Sequence, residues 1–117
     1  MASTDADLYR MGRGSNAKME PRVPKDIPTF DKNGEQYVKE GTGGVSTDSK
    51  QPKTSNVWKL DSGYAYDDLL HVYNDHGTHY LWEPKSEMKL ADFQAALLTT
   101  HASWTKVTDG KGNPVKA

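Results

Sequence analysis

A glycine-rich turn that runs straight into β-favouring residues sets the tightest limit on what this chain can fold into. The stretch is Gly41-Thr42-Gly43-Gly44-Val45-Ser46-Thr47. Phosphate loops and dinucleotide fingerprints both need a helix to open directly after their glycines. Here Val45, Ser46 and Thr47 favour a strand instead, so neither a P-loop nor a dinucleotide-binding βαβ unit fits. Two readings of the turn stay open. It is a hairpin corner with solvated hydroxyls, or it is a loop whose amides and hydroxyls converge on one small polar ligand, with Gly43 and Gly44 allowing the close approach.

Prolines restrict the fold further. Pro21, Pro24 and Pro28 remove donors and clash with a preceding turn, which excludes regular helix there. Residues 16–34 read as a long irregular run, of the kind that is either functional or mobile. Asp31-Lys32-Asn33-Gly34 reads as a turn, and Glu35-Gln36-Tyr37-Val38 as a strand leading into the glycines. Upstream, Leu8-Tyr9-Arg10-Met11 alternates as a strand does, and Gly12-Arg13-Gly14 breaks it. Downstream, residues 48–56 read as an exposed loop, and Val57-Trp58-Lys59-Leu60 as a strand that stops at Asp61-Ser62-Gly63. Tyr64 to Asn74 fits a short helix with Asp67 and Asp68 in its first turn, or a strand from Leu70 to Tyr73. Asn74-Asp75-His76-Gly77 reads as a turn, and Thr78-His79-Tyr80-Leu81-Trp82 as the strongest strand, ended by Pro84.

One segment carries a helical stripe. Leu90, Phe93, Ala96 and Leu97 fall on one face, so the main helix is expected over 86–99, with Ser86 as N-cap and Glu87 near its positive end. Ala102 to Val107 suits a last strand. Residues 1–6 and 109–117 are expected to be loose ends. These elements make a single α+β domain over 1–117.

Composition bears on partners and compartment. At 117 residues with 34% hydrophobic side chains, the core must be modest, and six Tyr and three Trp supply much of it. A formal charge of −1 provides no global field for nucleic acid. The absence of Cys excludes disulfides and thiolate zinc sites; it accords with a reducing cytoplasm. No stretch is long enough for a membrane span, and no cleavable signal peptide is evident at the start. Specialised secretion would leave no such mark.

Four histidines are the first candidates for chemistry: His71, His76, His79 and His101. His76-x-x-His79 has the look of a metal pair, but neither helical geometry nor a third ligand supports it, so no metal is expected. His79 and His101, with basic side chains, could serve a metal-free ribonuclease as acid and base. Glu83, at a strand end, holds a ribose hydroxyl or faces water. Arg10 can fork onto a carboxylate or phosphate, or sit exposed beside its turn.

The order of motifs points further. Leu8-Tyr9-Arg10, then Thr42-Gly43-Gly44-Val45-Ser46, then Leu60-Asp61-Ser62-Gly63 with Asp68-Leu69, then Thr78-His79-Tyr80-Leu81-Trp82-Glu83-Pro84 running into a helix with Met88 and Phe93, resembles the second exported effector toxin of the type VI secretion system of pseudomonads and relatives. The similarity runs from Leu8 to about Leu98, in a shorter chain than the family member it matches. It implies a small, split, twisted β-core like the catalytic domain of ADP-ribosyltransferase toxins, with NAD as substrate. It implies Arg10, Ser46 and His79 as catalytic residues. It also implies Arg10, Gly43, Gly44, Ser46, Thr78 and Tyr80 as the NAD-binding set. An aromatic ring such as Tyr37 or Tyr80 could stack on nicotinamide. Many transferases of this class place a Glu near the ribose; the family resembled does not clearly keep it, and Glu83 does not fall on a family motif position. An antibacterial effector of this kind acts in the cytoplasm on a macromolecular acceptor, protein or nucleic acid, or on water, and is paired with a cognate immunity protein. A ribonuclease toxin and a non-enzymatic binding module are the alternatives.

Overall fold

The computed structural model describes residues 2–115. They form nine strands and one α-helix: β1 (Leu8–Met11), β2 (Phe30–Lys32), β3 (Glu35–Val38), β4 (Val45–Asp48), β5 (Val57–Leu60), β6 (Leu70–His76), β7 (His79–Pro84), β8 (Met88–Lys89), α1 (Leu90–Leu98) and β9 (Thr105–Lys106), with a 3₁₀ turn at His101–Ser103 before β9. The fold is mostly β with an α+β arrangement. A six-stranded antiparallel sheet has the order β6-β7-β4-β1-β5-β9, and a three-stranded sheet the order β2-β3-β8. No helix among the described residues is long and apolar enough to cross a membrane.

Alternation decides which face is packed. In β4, Val45 and Thr47 are buried while Ser46 is exposed. Their partners on β7 are Trp82 and Tyr80 for the packed face, Leu81 for the other. Trp82, Leu8, Leu60, Leu70, Phe93 and Leu97 form the centre of the core with almost no exposure. The tryptophans bury their rings only because each indole N–H finds an acceptor. Trp82 donates to Thr47 Oγ1 at 3.1 Å, Trp104 to Thr100 Oγ1 at 2.9 Å and Trp58 to the Arg13 carbonyl at 2.9 Å.

The proline-rich run turns out to be packing material. Ala17, Met19 and Ile27 within it have no exposed surface, so the segment is a wrap that closes one side of the core. The turn expected at Asp31–Gly34 is the two-residue corner of a β2–β3 hairpin. Asn33 and Gly34 take φ of 54° and 82°, the left-handed pair that such corners demand, and strand β2 occupies residues read as loop and turn.

The helix begins at Leu90, the first residue of its stripe, and not at the expected Ser86. Met88 and Lys89 pair with Val38 and Tyr37 of β3, so the helix starts at Leu90 with Lys89 in the cap position and no side-chain cap bond. Ser86 is not the N-cap. Glu87 is ion-paired with Lys32 at 2.8 Å rather than with the helix end. The stripe itself packs as expected: Phe93, Ala96 and Leu97 are buried.

The ambiguous segment after Tyr64 is a strand, and it runs on through His76. The turn therefore shrinks to Gly77 and Thr78. At the chain ends, the segments expected to be loose carry defined bonds. The Thr4 amide donates to the Tyr64 carbonyl at 2.9 Å, and the Val115 amide to the Val107 carbonyl at 3.0 Å. Asp109 accepts from the amides of Lys111 and Asn113 at 2.8 and 3.0 Å.

Candidate functional site

The outer face of the six-stranded sheet carries the reactive side chains. Residues directly paired across a ladder share a face, as do alternate residues along a strand. Ser46 opposite Leu81, and Asp48 opposite His79, therefore stand on the outer face. His71 opposite Glu83 and Tyr73 opposite Leu81 continue it onto β6. Tyr9, opposite Asp48, extends it onto β1.

A hollow of about 220 Å³ lies over this face, bordered by Tyr9, Arg10, Ser46, Asp48, Pro52 and His79. Three residues expected to act together, Arg10, Ser46 and His79, thus border one hollow. They reach it differently. Ser46 and His79 project from the outer face. Arg10 is directly paired with Trp58, so its Cβ leaves β1 on the packed side. Its Nε donates to the Lys18 carbonyl and its Nη1 to the Ser46 carbonyl, both at 2.9 Å. β1 and β4 share a single paired position, Tyr9 with Asp48. Beyond it the strands part, and the guanidinium satisfies the Ser46 carbonyl. Burial lowers the pKa of Arg10 from its ordinary value; the charge of Asp26 opposes that effect and the charge of Arg22 adds to it. On its other side Arg10 borders a hollow of about 210 Å³ with Met11, Gly12, Lys18 and Arg22.

The rest of the binding set expected from sequence does not gather here. Gly43 and Gly44 are packing glycines. A Cβ on Gly44 would lie 2.0 Å from the Trp82 carbonyl oxygen, and one on Gly43 2.2 Å from that of Asp26. Two of the loop amides are already spent: Gly41 donates to Glu83 Oε1 at 2.8 Å and Gly44 to the Asp26 carbonyl at 3.0 Å. Tyr80 is on the packed face opposite Thr47. The neighbouring Asp5 carboxylate, and then burial, push its phenol up. Tyr37 belongs to the small sheet, 6.0 Å from Phe30 between ring centres. Thr78 is at the hairpin tip and lines a neighbouring hollow of about 310 Å³ with Lys50 and Lys53. That hollow shares Asp48 and Pro52 with the first.

Glu83 neither faces water nor stands free for a ribose. It is buried at 6% exposure, and its two oxygens take the Gly41 amide and His71 Nδ1, the latter at 2.7 Å. His71 also stacks on Tyr73 with ring centres 4.7 Å apart. The carboxylate inside the hollow is instead Asp48, read from sequence as the start of an exposed loop. His101 sits in the 3₁₀ turn after α1 and is not part of the hollow that holds His79.

At the β6–β7 tip a second imidazole–carboxylate group forms. A register shift between Asn74 and His76 lets His76 pair with His79, and Asp75 reaches both rings. His79 Nδ1 is hydrogen-bonded to Asp75 Oδ1, and His76 Nδ1 lies 3.2 Å from the same oxygen. Burial raises the Asp75 pKa, but the bond and charge of His79 and the charge of His76 outweigh it and hold the carboxyl below its ordinary value. Another hollow, of about 730 Å³ between Gln51–Ser55 and Thr108–Pro114, is lined by lysines and hydroxyls and by no carboxylate or imidazole among the described residues. No protein-family model matches the chain, and neither a curated protein nor a solved structure matches it significantly.

Proposed function

We propose that this chain is a small toxin-type effector that breaks the nicotinamide–ribose bond of NAD, as ADP-ribosyltransferases do, at the hollow between β1, β4 and β7. The observation that carries the reading is the meeting of Arg10, Ser46 and His79, from three different strands, around that one space. Its resemblance to the type VI effector family assigns those same residues to NAD. The adjoining hollow with Lys50, Lys53 and Thr78 extends the space in the direction a dinucleotide needs, and its two ammonium groups suit the pyrophosphate.

In the displacement, the C1′–N bond breaks and its electron pair passes to the pyridinium ring, releasing neutral nicotinamide. The acceptor oxygen or nitrogen forms the new bond to C1′ and gives up its proton. His79, oriented by Asp75, is the group placed to take that proton. The transition state is oxocarbenium-like. Asp48 supplies the negative charge that favours it in place of the Glu the family motifs leave unmatched. The Ser46 hydroxyl holds the ribose or the carboxamide. Whether a protein, a nucleic acid or water accepts the ribosyl group, the role of these residues is the same. A cognate immunity protein would act most directly by covering this hollow in the cytoplasm.

Incubation with NAD labelled in the nicotinamide ring, with and without cell lysate, tests the reading. Nicotinamide release is expected, and His79→Ala and Ser46→Ala should each lower it by about 10²-fold or more while far-UV circular dichroism stays unchanged. Release at full rate in both variants, or none from the parent protein under conditions that arrest growth, overturns it.

A second reading has its own support. Two imidazole–carboxylate pairs, His79 with Asp75 and His71 with Glu83, stand on one sheet face. They are four residues apart along β7, about 13 Å. A metal-free ribonuclease toxin would draw its second histidine from His71, not His101. Cleavage of total RNA in chelator, lost in His71→Ala, would favour it.

A further inference from the structure

From the convergence of Asp75, His76 and His79 at the β6–β7 tip, we infer a binding site for a single divalent transition-metal ion of the zinc type. The inference stands apart from the NAD reading, since it rests on ligand geometry alone.

One ligand atom from each of the three residues lies within 4.8 Å of the others. Two imidazoles and one carboxylate are a donor set that suits zinc and its neighbours, cobalt and nickel. Metal–nitrogen and metal–oxygen bonds of about 2.0–2.2 Å put tetrahedral ligand atoms roughly 3.3–3.5 Å apart. The present His76–Asp75 separation of 3.2 Å is already close to that, so small side-chain rotations complete the set. Both Nδ1 atoms aim at the same Asp75 oxygen, and the two rings stack at 4.7 Å with 21° between their planes. An ion entering there replaces the His79–Asp75 hydrogen bond and the His76–Asp75 contact with two coordinate bonds to the same nitrogens. Any proton on those nitrogens must first leave or shift to Nε2.

The backbone explains why the three meet. Strict alternation would send Asp75 and His76 to opposite faces of β6. The register shift at Asn74/His76 removes that separation. Asn74 then locks the corner. Its Nδ2 donates to the carbonyls of Gly77 at 2.9 Å and His79 at 2.8 Å, so the ligands sit on a braced hairpin rather than a free loop. The chain has no Cys to compete for the ion. His76 is three-quarters exposed, which leaves a coordination position open to water or to an incoming donor. Because His79 also borders the Arg10–Ser46 hollow, a bound ion would stand at the rim of that hollow and occupy the imidazole.

The test uses tag-free, chelator-treated full-length protein and Co²⁺ as a spectroscopic stand-in, followed by competition with Zn²⁺. A saturable visible ligand-field band of tetrahedral intensity at one-to-one stoichiometry, displaced by Zn²⁺, is expected. His76→Gln and Asp75→Asn should each weaken Co²⁺ binding by at least the ~10–100-fold that loss of an outer-shell partner costs. His71→Gln, on the same face but outside the trio, should leave it unchanged. Absence of a saturable band, or equal binding in His76→Gln and the parent, overturns the inference. A band lost only in His71→Gln overturns it too. Loss of nicotinamide release without loss of the Co²⁺ band would sink the NAD reading and leave this one standing.

Discussion

At the residue scale, the glycines show how one sequence signal can have a purely architectural cause. Gly43 and Gly44 let β4 start hard against the Asp26 and Trp82 carbonyls, which leaves no room for the ligand that such a turn invites. Gly44→Ala forces a methyl group onto a backbone oxygen and should cost about 1–3 kcal/mol or more, seen as a fall in the urea midpoint. Full stability in that variant would show that the approach is looser than 2.0 Å. Arg10 was legible as an arginine on the first strand. That its guanidinium also closes a gap between strands was not, because the gap exists only once β1 and β4 diverge. The same holds for Asp75 and Asp48. Each lay in a stretch read as turn or loop, and their placement depends on a register shift and a ladder that no local pattern encodes. Motif order grouped Arg10, Ser46, His79 and Tyr80; the first three border one hollow, while Tyr80 lies on the packed face by its pairing with Thr47.

At the element scale, most strands were visible from alternation, and their ends from turn residues. The failures came where tertiary pairing overrode local preference. The first turn of the expected helix was drawn into β8 by β3. Pro84 ends β7 as expected: β4 begins opposite Trp82, so no β4 partner awaits a donor there, and on the other side Pro84 pairs with Leu70 of β6. Glu83 and the glycine loop form one unit. Glu83→Ala removes the acceptor of the Gly41 amide and the partner of His71, and should cost about 1–3 kcal/mol for the buried groups left unpaired. Glu83→Gln should recover part of that, since it can still accept from Gly41. Equal stability of both variants and the parent in chemical denaturation would count against the clamp. For α1, Phe93 is the anchor with no exposed surface, and Phe93→Ala should cost about 3–5 kcal/mol.

Across the whole molecule, a small core is supplemented by carboxylates that the fold holds ionised. The Ser62 amide lowers the Asp7 pKa, helped by Lys59. Burial would raise that of Asp26, but hydrogen bonds and charge from Arg22 outweigh it. The amides of Asn113 and Lys111 lower that of Asp109. Each is depressed in the folded state. Its contribution is therefore complete above the ordinary carboxyl value of 3.8 and is lost as pH falls through the lower folded values. Urea midpoints should hold steady from neutrality to about pH 5 and then drop; a decline already under way near neutrality would point to other groups. The six-stranded sheet, finally, is β6-β7-β4 and β5-β9 with β1, joined at one rung between Tyr9 and Asp48. Such a molecule has a built-in tear line. Pulled across that rung, between β4 and β5, it should come apart as two panels before either panel unravels, with the crossing at Arg10 the stitch that yields.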